Sequence, residues 1–316
     1  MKIKLYGTRG SIASPLSNSA YQEKVLEILG LFAAKQIKSK EEVNDFFETL
    51  PEYLKYTSGG DTTCISVTSD AGKVFMVDCG TGARNLGDEL IRTEFGKGKG
   101  VLELFFTHTH WDHIQGLPFF KPVYIPGNQI NFHSPYNDLE ARLIQQQVKE
   151  FFPMPFHGTA STKKFRTIQR GEPITYDTMT IDFYPLKHPG GSYAYKFTEN
   201  GKSFIFATDA EFTGDDMDLI RSMAPFFNGA DMLVLDSQYT LDESFAKFDW
   251  GHTSYTMAVN CATIWNIKKL VMTHHEPAYN DKKIYEIYED AKLHKTYLEG
   301  SPLEIILARE GLILDL

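Results

Sequence analysis

The six residues His108, Thr109, His110, Trp111, Asp112 and His113 carry the densest chemistry in this sequence. Four of them, His108, His110, Asp112 and His113, offer the imidazole nitrogen and carboxylate oxygen that zinc and similar divalent ions favour. An exposed polar loop or a satisfied core histidine accounts for any one of these side chains, but not for four together directly behind an apolar run. One loop of this kind can supply ligands to two ions. Two divalent ions about 3.5–4 Å apart ionise a bridging water near neutral pH and stabilise charge on a phosphoryl or acyl oxygen. The chemistry expected is therefore metal-assisted hydrolysis, which needs no serine or cysteine nucleophile.

Such a loop must be held by a rigid element. Leu102 to Thr107 is a continuous apolar strand running straight into His108, which places the polar residues at the strand's C-terminal end. Other strands are expected at Lys2–Tyr6, Cys64–Thr68 and Val74–Asp78, with 70–73 as a hairpin turn. Further strands are expected near 180–186, 193–198, 203–208, 232–236 and 270–273, and 303–307 and 312–316 read as strands or a hairpin. Between Ser17 and Tyr56, Val25, Leu26, Leu29 and Phe32 make one apolar stripe and Val43, Phe46, Phe47 and Leu50 another. Two helices follow from this, with Ser39 and Glu42 as a capping box for the second and Pro51 as its end. Another helix is expected from Asn137 to about Phe152. Helices distributed among many strands indicate a layered α/β fold.

At 316 residues, 42% hydrophobic and 23% charged, the chain can bury a full core and has no signature of disorder. It reads as a single unit over 1–316 with residues 17–56 as an inserted helical hairpin, a lid or a homodimer surface. No apolar run approaches the ~20 residues that span a bilayer, so no membrane association and a cytoplasmic location are expected. Three cysteines with no C-x-x-C pair suggest neither a disulfide framework nor a thiolate zinc site. A net charge of −9 opposes unspecific attraction to a polyphosphate, which favours a small nucleotide over long nucleic acid. The local basic cluster Lys163, Lys164, Arg166 and Arg170 is either a phosphate contact or a solvated strand face.

The motif H-x-H-x-D-H behind an apolar strand resembles the signature of metallo-β-lactamase-fold hydrolases, and the resemblance extends over nearly the whole chain to their phosphodiesterase and tRNase Z-like branch. It implies a four-layer αββα sandwich, into which the 17–56 hairpin is inserted. It also implies two divalent metal ions, zinc first, with manganese or iron compatible with the same donors. By position, His108 and His110 match ligands of one ion, joined by His188 before Pro189. Asp112 and His113 match ligands of the second ion. Asp209, at the end of a strand, matches the carboxylate bridging both, and His274 matches the last ligand of the second, preferred to His275 because it directly follows the strand. Asp78, beside Gly80 and Gly82, either orients a ligand histidine through its other ring nitrogen or caps the next helix.

His252, in Gly251-His252-Thr253-Ser254, is not required by that ligand set and is free to act as a general acid. Its segment resembles the His-Ser-Thr motif of tRNase Z enzymes with the last two residues reversed, and Asp236 matches their acidic partner, where Asp replaces the usual Glu. A carboxylate there raises the pKa of the ring and orients it for protonating an alkoxide. Helix capping is the structural alternative for His252. Gly7-Thr8-Arg9-Gly10-Ser11 resembles a loop of the same branch but lacks the lysine of a P-loop, and Arg9 either contacts phosphate or secures the turn. Gly59-Gly60-Asp61-Thr62-Thr63 resembles the branch's Gly-Gly-Asn-Thr-Ser turn, with Asp61 as the departure. Together these imply a phosphodiesterase of cyclic or other small nucleotides, with Asp112, Asp236 and His252 in the catalytic set. The alternatives are a tRNA 3′-end endonuclease, set back by the lack of a long Gly-, Pro- and Lys-rich arm, and an inactive metal-binding sensor.

Overall fold

The computed structural model describes every residue except Gln36, Lys38 and Glu299. In chain order, β1 (Lys2–Gly7), β2 (Cys64–Thr68), β3 (Val74–Val77), β4 (Val101–Phe105), β5 (Gln129–Ser134) and β6 (Thr162–Thr167) precede β7 (Ile174–Tyr176), β8 (Met179–Leu186), β9 (Ser192–Glu199) and β10 (Lys202–Ala207). The last four are β11 (Met232–Asp236), β12 (Lys269–Thr273), β13 (Glu304–Leu307) and β14 (Ile313–Asp315). They form two seven-stranded sheets, in the orders β14-β1-β2-β3-β4-β5-β6 and β13-β12-β11-β10-β9-β8-β7. The two C-terminal segments therefore do not pair as a hairpin: β13 completes one sheet and β14 pairs with β1 in the other, with Ile3 opposite Leu314.

Three apolar layers explain the stacking. Ile3, Leu5, Val67, Phe75 and Phe105 of one sheet meet Ile181, Phe197, Phe204, Phe206 and Val234 of the other in a buried cluster. The alternation of strand side chains sends the complementary set outward: Met76, Leu102, Leu104 and Phe106 pack with Ala83, Leu86 and Leu90 of α4 (Ala83–Leu90), defining one outer helical layer. On the opposite side Ile205, Leu233 and Leu235 meet Ala258, Val259, Ala262 and Trp265 beside Ile287 and Ala291. The result is an αββα sandwich. Truncating a core phenylalanine such as Phe204 to Ala carries a cost of about 3–5 kcal/mol.

The helical inventory beyond α4 begins with α1 (Asn18–Ala33), α2 (Lys40–Thr49) and α3 (Glu52–Lys55), which lie between β1 and β2. Among the described residues the insertion thus contains three helices rather than the two expected. Ser17 and Ser39 cap the first two, accepting from the backbone N–H groups of Ala20 and Glu42, and Pro51 both follows α2 and opens α3. Neither α1 nor α2 buries a residue fully; Leu54 of α3 does, and Lys24 ties the insertion to the body through Asp281, 2.5 Å away.

After β4 come α5 (Trp111–Ile114) and, following β5, α6 (Leu139–Gln146); α7 (Met217–Ser222) and α8 (Ala224–Phe227) follow β10. α9 (Leu241–Ala246) and α10 (Tyr255–Ile264) follow β11, and α11 (Asp281–Thr296) follows β12. The helix expected to reach Phe152 stops six residues short, because Leu139 and Leu143 are buried while Val148 is only partly covered and Phe151 is exposed, leaving that stretch no core to hold it. No helix among the described residues is long and apolar enough to cross a membrane.

Sheet direction decides where the polar loops gather. β3, β4, β5 and β6 run parallel, as do β10, β11, β12 and β13, and β8 shares the direction of β10 because each is antiparallel to β9. Consequently the segments leaving β3 and β4 emerge at one end of the first sheet and those leaving β8, β10, β11 and β12 at one end of the second, and the 3.0 Å approach of His113 to Asp209 places those two ends together.

Candidate active site

Each of those strand ends delivers one chemically competent side chain. Asp78 follows β3, His108 follows β4, His188 follows β8, Asp209 follows β10, Asp236 ends β11 and His274 follows β12. The chain must turn abruptly there, and Asp78, Asp209 and His274 adopt left-handed φ values of 58°, 60° and 63°. Such a conformation costs a non-glycine residue about 1–3 kcal/mol and persists only where surrounding contacts impose it.

Asp209 sits at the centre. Its carboxylate lies 3.0 Å from His113 Nε2, 3.4 Å from His274 Nε2, 3.7 Å from His188 Nε2 and 3.8 Å from His108 Nε2. Asp112 lies 3.2 Å from His113 Nε2 and 3.8 Å from His274 Nε2, and His110 Nδ1 stands 3.1 Å from His188 Nε2. Two groups result, His108, His110 and His188 in one and Asp112, His113, Asp209 and His274 in the other, each with donor atoms within 4.8 Å of one another. All seven residues named from the sequence are thus brought together.

The ring orientations follow from what each outer nitrogen touches. His113 Nδ1 donates to Asp78 Oδ2 at 2.8 Å, His188 Nδ1 donates to the carbonyl of Gly251 at 2.8 Å, and the Nδ1 atoms of His108 and His274 lie 3.1 and 3.3 Å from the hydroxyls of Thr107 and Thr63. Asp78 is in turn fixed by the backbone N–H and hydroxyl of Thr107, at 2.8 and 2.7 Å. The Nε2 atoms of His108, His113 and His274 and Oδ2 of Asp209 are left buried without a hydrogen-bond partner. Buried polar atoms rarely remain unpaired, and four converging on one point form a set of donors suited to cations.

The electrostatics agree. Burial and the neighbouring imidazoles push His108 well below its ordinary pKa, holding it neutral with a lone pair available. Burial alone would lower His113 as well, but the Asp209, Asp112 and Asp78 carboxylates overcome it and drive that ring well above the usual range. Burial opposes ionisation of Asp209, yet His113, His274 and His108 hold its pKa well below normal. A cluster of carboxylates this deep demands positive charge, which divalent cations supply.

On one flank His252 Nδ1 is hydrogen-bonded to Asp236 Oδ2 at 2.7 Å, and its ring stands 5.0 Å from that of His274 and 5.5 Å from that of His188. Asp236, fully buried, also accepts from the N–H of Gln238 at 3.1 Å. Burial works against protonation of His252, but Asp236 outweighs it and raises the ring to about 9. Asp236, His252 and His274 form a third group of close donors. Asp236 is already committed to His252 and Gln238, however, while His274 Nε2 faces Asp209 and Asp112. The helix cap considered for His252 is provided by Ser254, whose hydroxyl accepts from Met257 N–H at the start of α10.

Other residues fall on one side or the other of the choices open from sequence. Arg9 is buried and its guanidinium donates to the carbonyls of Gly59, Glu276 and Tyr279, so it secures the turn. His275 turns away to the carbonyl of Ala308, 3.0 Å from its Nε2. Lys163 and Arg166 lie on the edge strand β6; Lys163 donates to the carbonyls of Thr159 and Ser161, and Arg170 lies over the Tyr184 ring. Several positions had no sequence signal for their part in the site. Ser11, at φ 61°, donates its backbone N–H to Asp112 Oδ2 at 2.9 Å, and a Cβ on Gly10 would meet His274 Cδ2 at 2.4 Å. Gly251, at φ 91°, is fixed by Glu211 and could not carry a Cβ without striking His188. Only the glycines, as tight-turn markers, hinted at these contacts.

The family model for the beta-lactamase superfamily domain matches residues 74–275, which span every one of the clustered histidines and aspartates. The chain belongs to the beta-lactamase superfamily. A member from Prochlorococcus marinus strain MIT 9515, ribonuclease Z, is 23% identical over 295 residues, covering 73% of this chain and 89% of its own. Among solved superfamily structures, the metallo-beta-lactamase fold protein YhfI of Bacillus subtilis superposes with a TM-score of 0.65 at 16% identity, covering 99% of this chain and 98% of its own. Yeast PDE1 superposes with a TM-score of 0.62 at 14% identity, over 100% and 99% of the two chains. This superfamily member is a metal-dependent hydrolase.

Proposed function

We propose that the protein is a phosphodiesterase acting on a cyclic nucleotide or another small nucleotide, with His108, His110 and His188 holding one divalent ion, Asp112, His113 and His274 a second, and Asp209 shared. The unpaired Nε2 atoms of His108, His113 and His274 fit that assignment, and the nitrogen and carboxylate donors favour zinc, with manganese or iron also accommodated. When bound, such a pair supplies an ionised water and neutralises charge at phosphorus. Asp78, Thr107, Thr63 and the Gly251 carbonyl orient the imidazoles by holding their outer nitrogens.

The observation that carries the reading is His252. It is spare to the ligand cluster, clamped through Nδ1 by buried Asp236, and adjacent to His188 and His274. With Nδ1 so committed, Nε2 is the atom that holds a proton for the departing oxygen. An alkoxide leaving phosphorus needs that proton, whereas a thiolate, a far weaker base, departs with less help from an acid. Asp236 keeps the ring turned and compensates its charge.

A second reading, cleavage at the 3′ end of tRNA, is favoured by the likeness to ribonuclease Z. The net charge of −9 weighs against long RNA as the habitual substrate. The test is turnover by protein with measured metal content of cyclic mononucleotides, a dinucleoside phosphate, an activated aryl phosphodiester and precursor tRNA. Cleavage of the small diesters at higher kcat/KM than precursor tRNA is expected. Preference for precursor tRNA would overturn the small-substrate reading, and failure on all four with metals bound would overturn the phosphodiesterase reading.

A further inference from the structure

A cavity of about 270 Å³ opens beside His252, and its wall combines Phe245, Phe248 and Met257 with Glu211, Asp215 and Lys247. The two phenyl rings come from a short stretch formed by α9 and the residues after it, and they are 75% and 55% exposed. Isolated exposed aromatics are ordinary, but two in the concave wall next to a reaction centre are placed to receive a ligand.

The stretch is fastened at its base. Thr240 and Glu243 cap α9 reciprocally, Glu243 also accepts from the Tyr279 hydroxyl, and Lys247 pairs with Glu276 at 3.0 Å while lying over the Tyr239 ring. Phe245 and Phe248 therefore hang from an anchored segment, so their exposure is not that of a loose loop.

We propose that this cavity seats the nucleoside part of the leaving group, its base stacked on Phe245 and Phe248. The inference rests on the phosphodiesterase reading, because the cavity is the one His252 lines and the group departing toward His252 must enter it. The wall chemistry narrows the occupant. Glu211 is buried; its Oε1 accepts no hydrogen bond and has the Lys187 ammonium at 3.5 Å, while Oε2 accepts from Gly251 N–H. An alkyl chain would leave the exposed Asp215 carboxylate of this wall without a partner, whereas the amine of a base or a ribose hydroxyl can donate to it.

A second cavity of about 320 Å³ at the other flank, lined among others by Trp111, Arg142 and Phe151, has neither imidazole nor carboxylate in its wall. It adjoins Thr109, the residue between His108 and His110.

The test uses the metal-loaded full chain and adenosine, which carries no phosphate for the metals to bind. Calorimetry is expected to show adenosine binding at least tenfold tighter than ribose. Stacking is worth ~1–3 kcal/mol per base, so Phe245→Ala with Phe248→Ala is expected to weaken adenosine, and to lower kcat/KM for adenylyl adenosine, by about 5-fold to 160-fold. Tyrosine at both positions is expected to restore both within a few-fold, and Phe151→Ala to leave adenosine binding unchanged. Adenosine affinity that ignores the Phe245/Phe248 double substitution, or falls with Phe151→Ala instead, overturns the assignment even if an aryl phosphodiester is still cleaved. Adenosine binding that depends on the two rings in a protein cleaving no phosphodiester would instead overturn the reaction assigned above and leave the aromatic seat standing.

Discussion

Substituting Gly251 by alanine separates backbone strain from damage to the site, because a second glycine provides the control. Gly251 has φ +91° and Gly72 has φ +82°, so alanine at either meets the left-handed penalty of about 1–2 kcal/mol. At Gly72 nothing lies within 4 Å of the new Cβ; at Gly251 it would fall 2.3 Å from His188 Nδ1 and 2.5 Å from Pro189 Cδ. The ring cannot stay where it is, and the 2.8 Å bond from its Nδ1 to the Gly251 carbonyl is lost with it. Outer contacts of this kind are worth about 10–100-fold in metal affinity. Gly251→Ala is therefore expected to weaken one of two metals by that factor, about 1.4–2.7 kcal/mol, beyond any loss in thermal stability shared with Gly72→Ala. Competition with a chromogenic chelator measures the first, and thermal unfolding of both variants measures the second. Wild-type affinity for both ions in Gly251→Ala, or an equal loss in Gly72→Ala, would refute the claim that this carbonyl positions His188.

Three further outcomes are expected. His252→Ala should reduce turnover of diesters with poor leaving groups by about 10²–10⁴-fold while sparing activated aryl esters and bound metal; equal losses on both substrate types would reject its role as proton donor. Asp209→Ala removes a carboxylate that lies within 3.8 Å of four imidazoles, so metal analysis should find at least one ion per chain lost, and full retention of two would contradict the shared position. Glu103, buried, accepts from His133, Tyr176 and Asn131 and pairs with Lys73; burial opposes its charge, but His133 and Tyr176 hold its pKa at about 2. Its folded pKa lies below the unfolded value, so its contribution, about 3 kcal/mol, is fully present above ~4.5 and disappears as pH falls toward 2. Unfolding of Glu103→Gln should accordingly vary less across that window than wild type, and parallel curves would disprove the linkage.

Much of the sandwich was legible because its central strands are continuous apolar runs. Leu102 to Phe105 and Met232 to Asp236 have only one reasonable placement, between two packed layers. β5 and β7 were not anticipated: β5 mixes Gln129, Asn131 and His133 with Ile130 and Phe132, and the interior demand of Glu103 for partners, which His133 and Asn131 meet, is invisible before the strands pair. The helix expected to reach Phe152 stopped short, as α6, for the converse reason. Val148 and Phe151 keep helical spacing, but periodicity states only that a face could be buried, and here no layer covers it.

For the site, the legible part is the side chains whose identity is itself chemical. Histidine and aspartate at strand ends announce themselves, and the parallel groups of strands, stacked face to face by the apolar layer between the sheets, bring them to one edge. What stayed hidden works through the backbone: the N–H of Ser11 on Asp112, the carbonyl of Gly251 on His188, and the space that Gly10 leaves for His274. Any residue type supplies a backbone group, so only the conformation at φ 61° and φ 91° identifies these positions. The division has a functional consequence. Donor type sets which ions and which reaction are available, while the backbone contacts set where each imidazole points, so selectivity among substrates is expected to respond most to segments such as 241–251. That segment joins the Phe245 and Phe248 wall to the carbonyl behind His188 within a few residues, so a change in the shape of that cavity is expected to reach the orientation of His188.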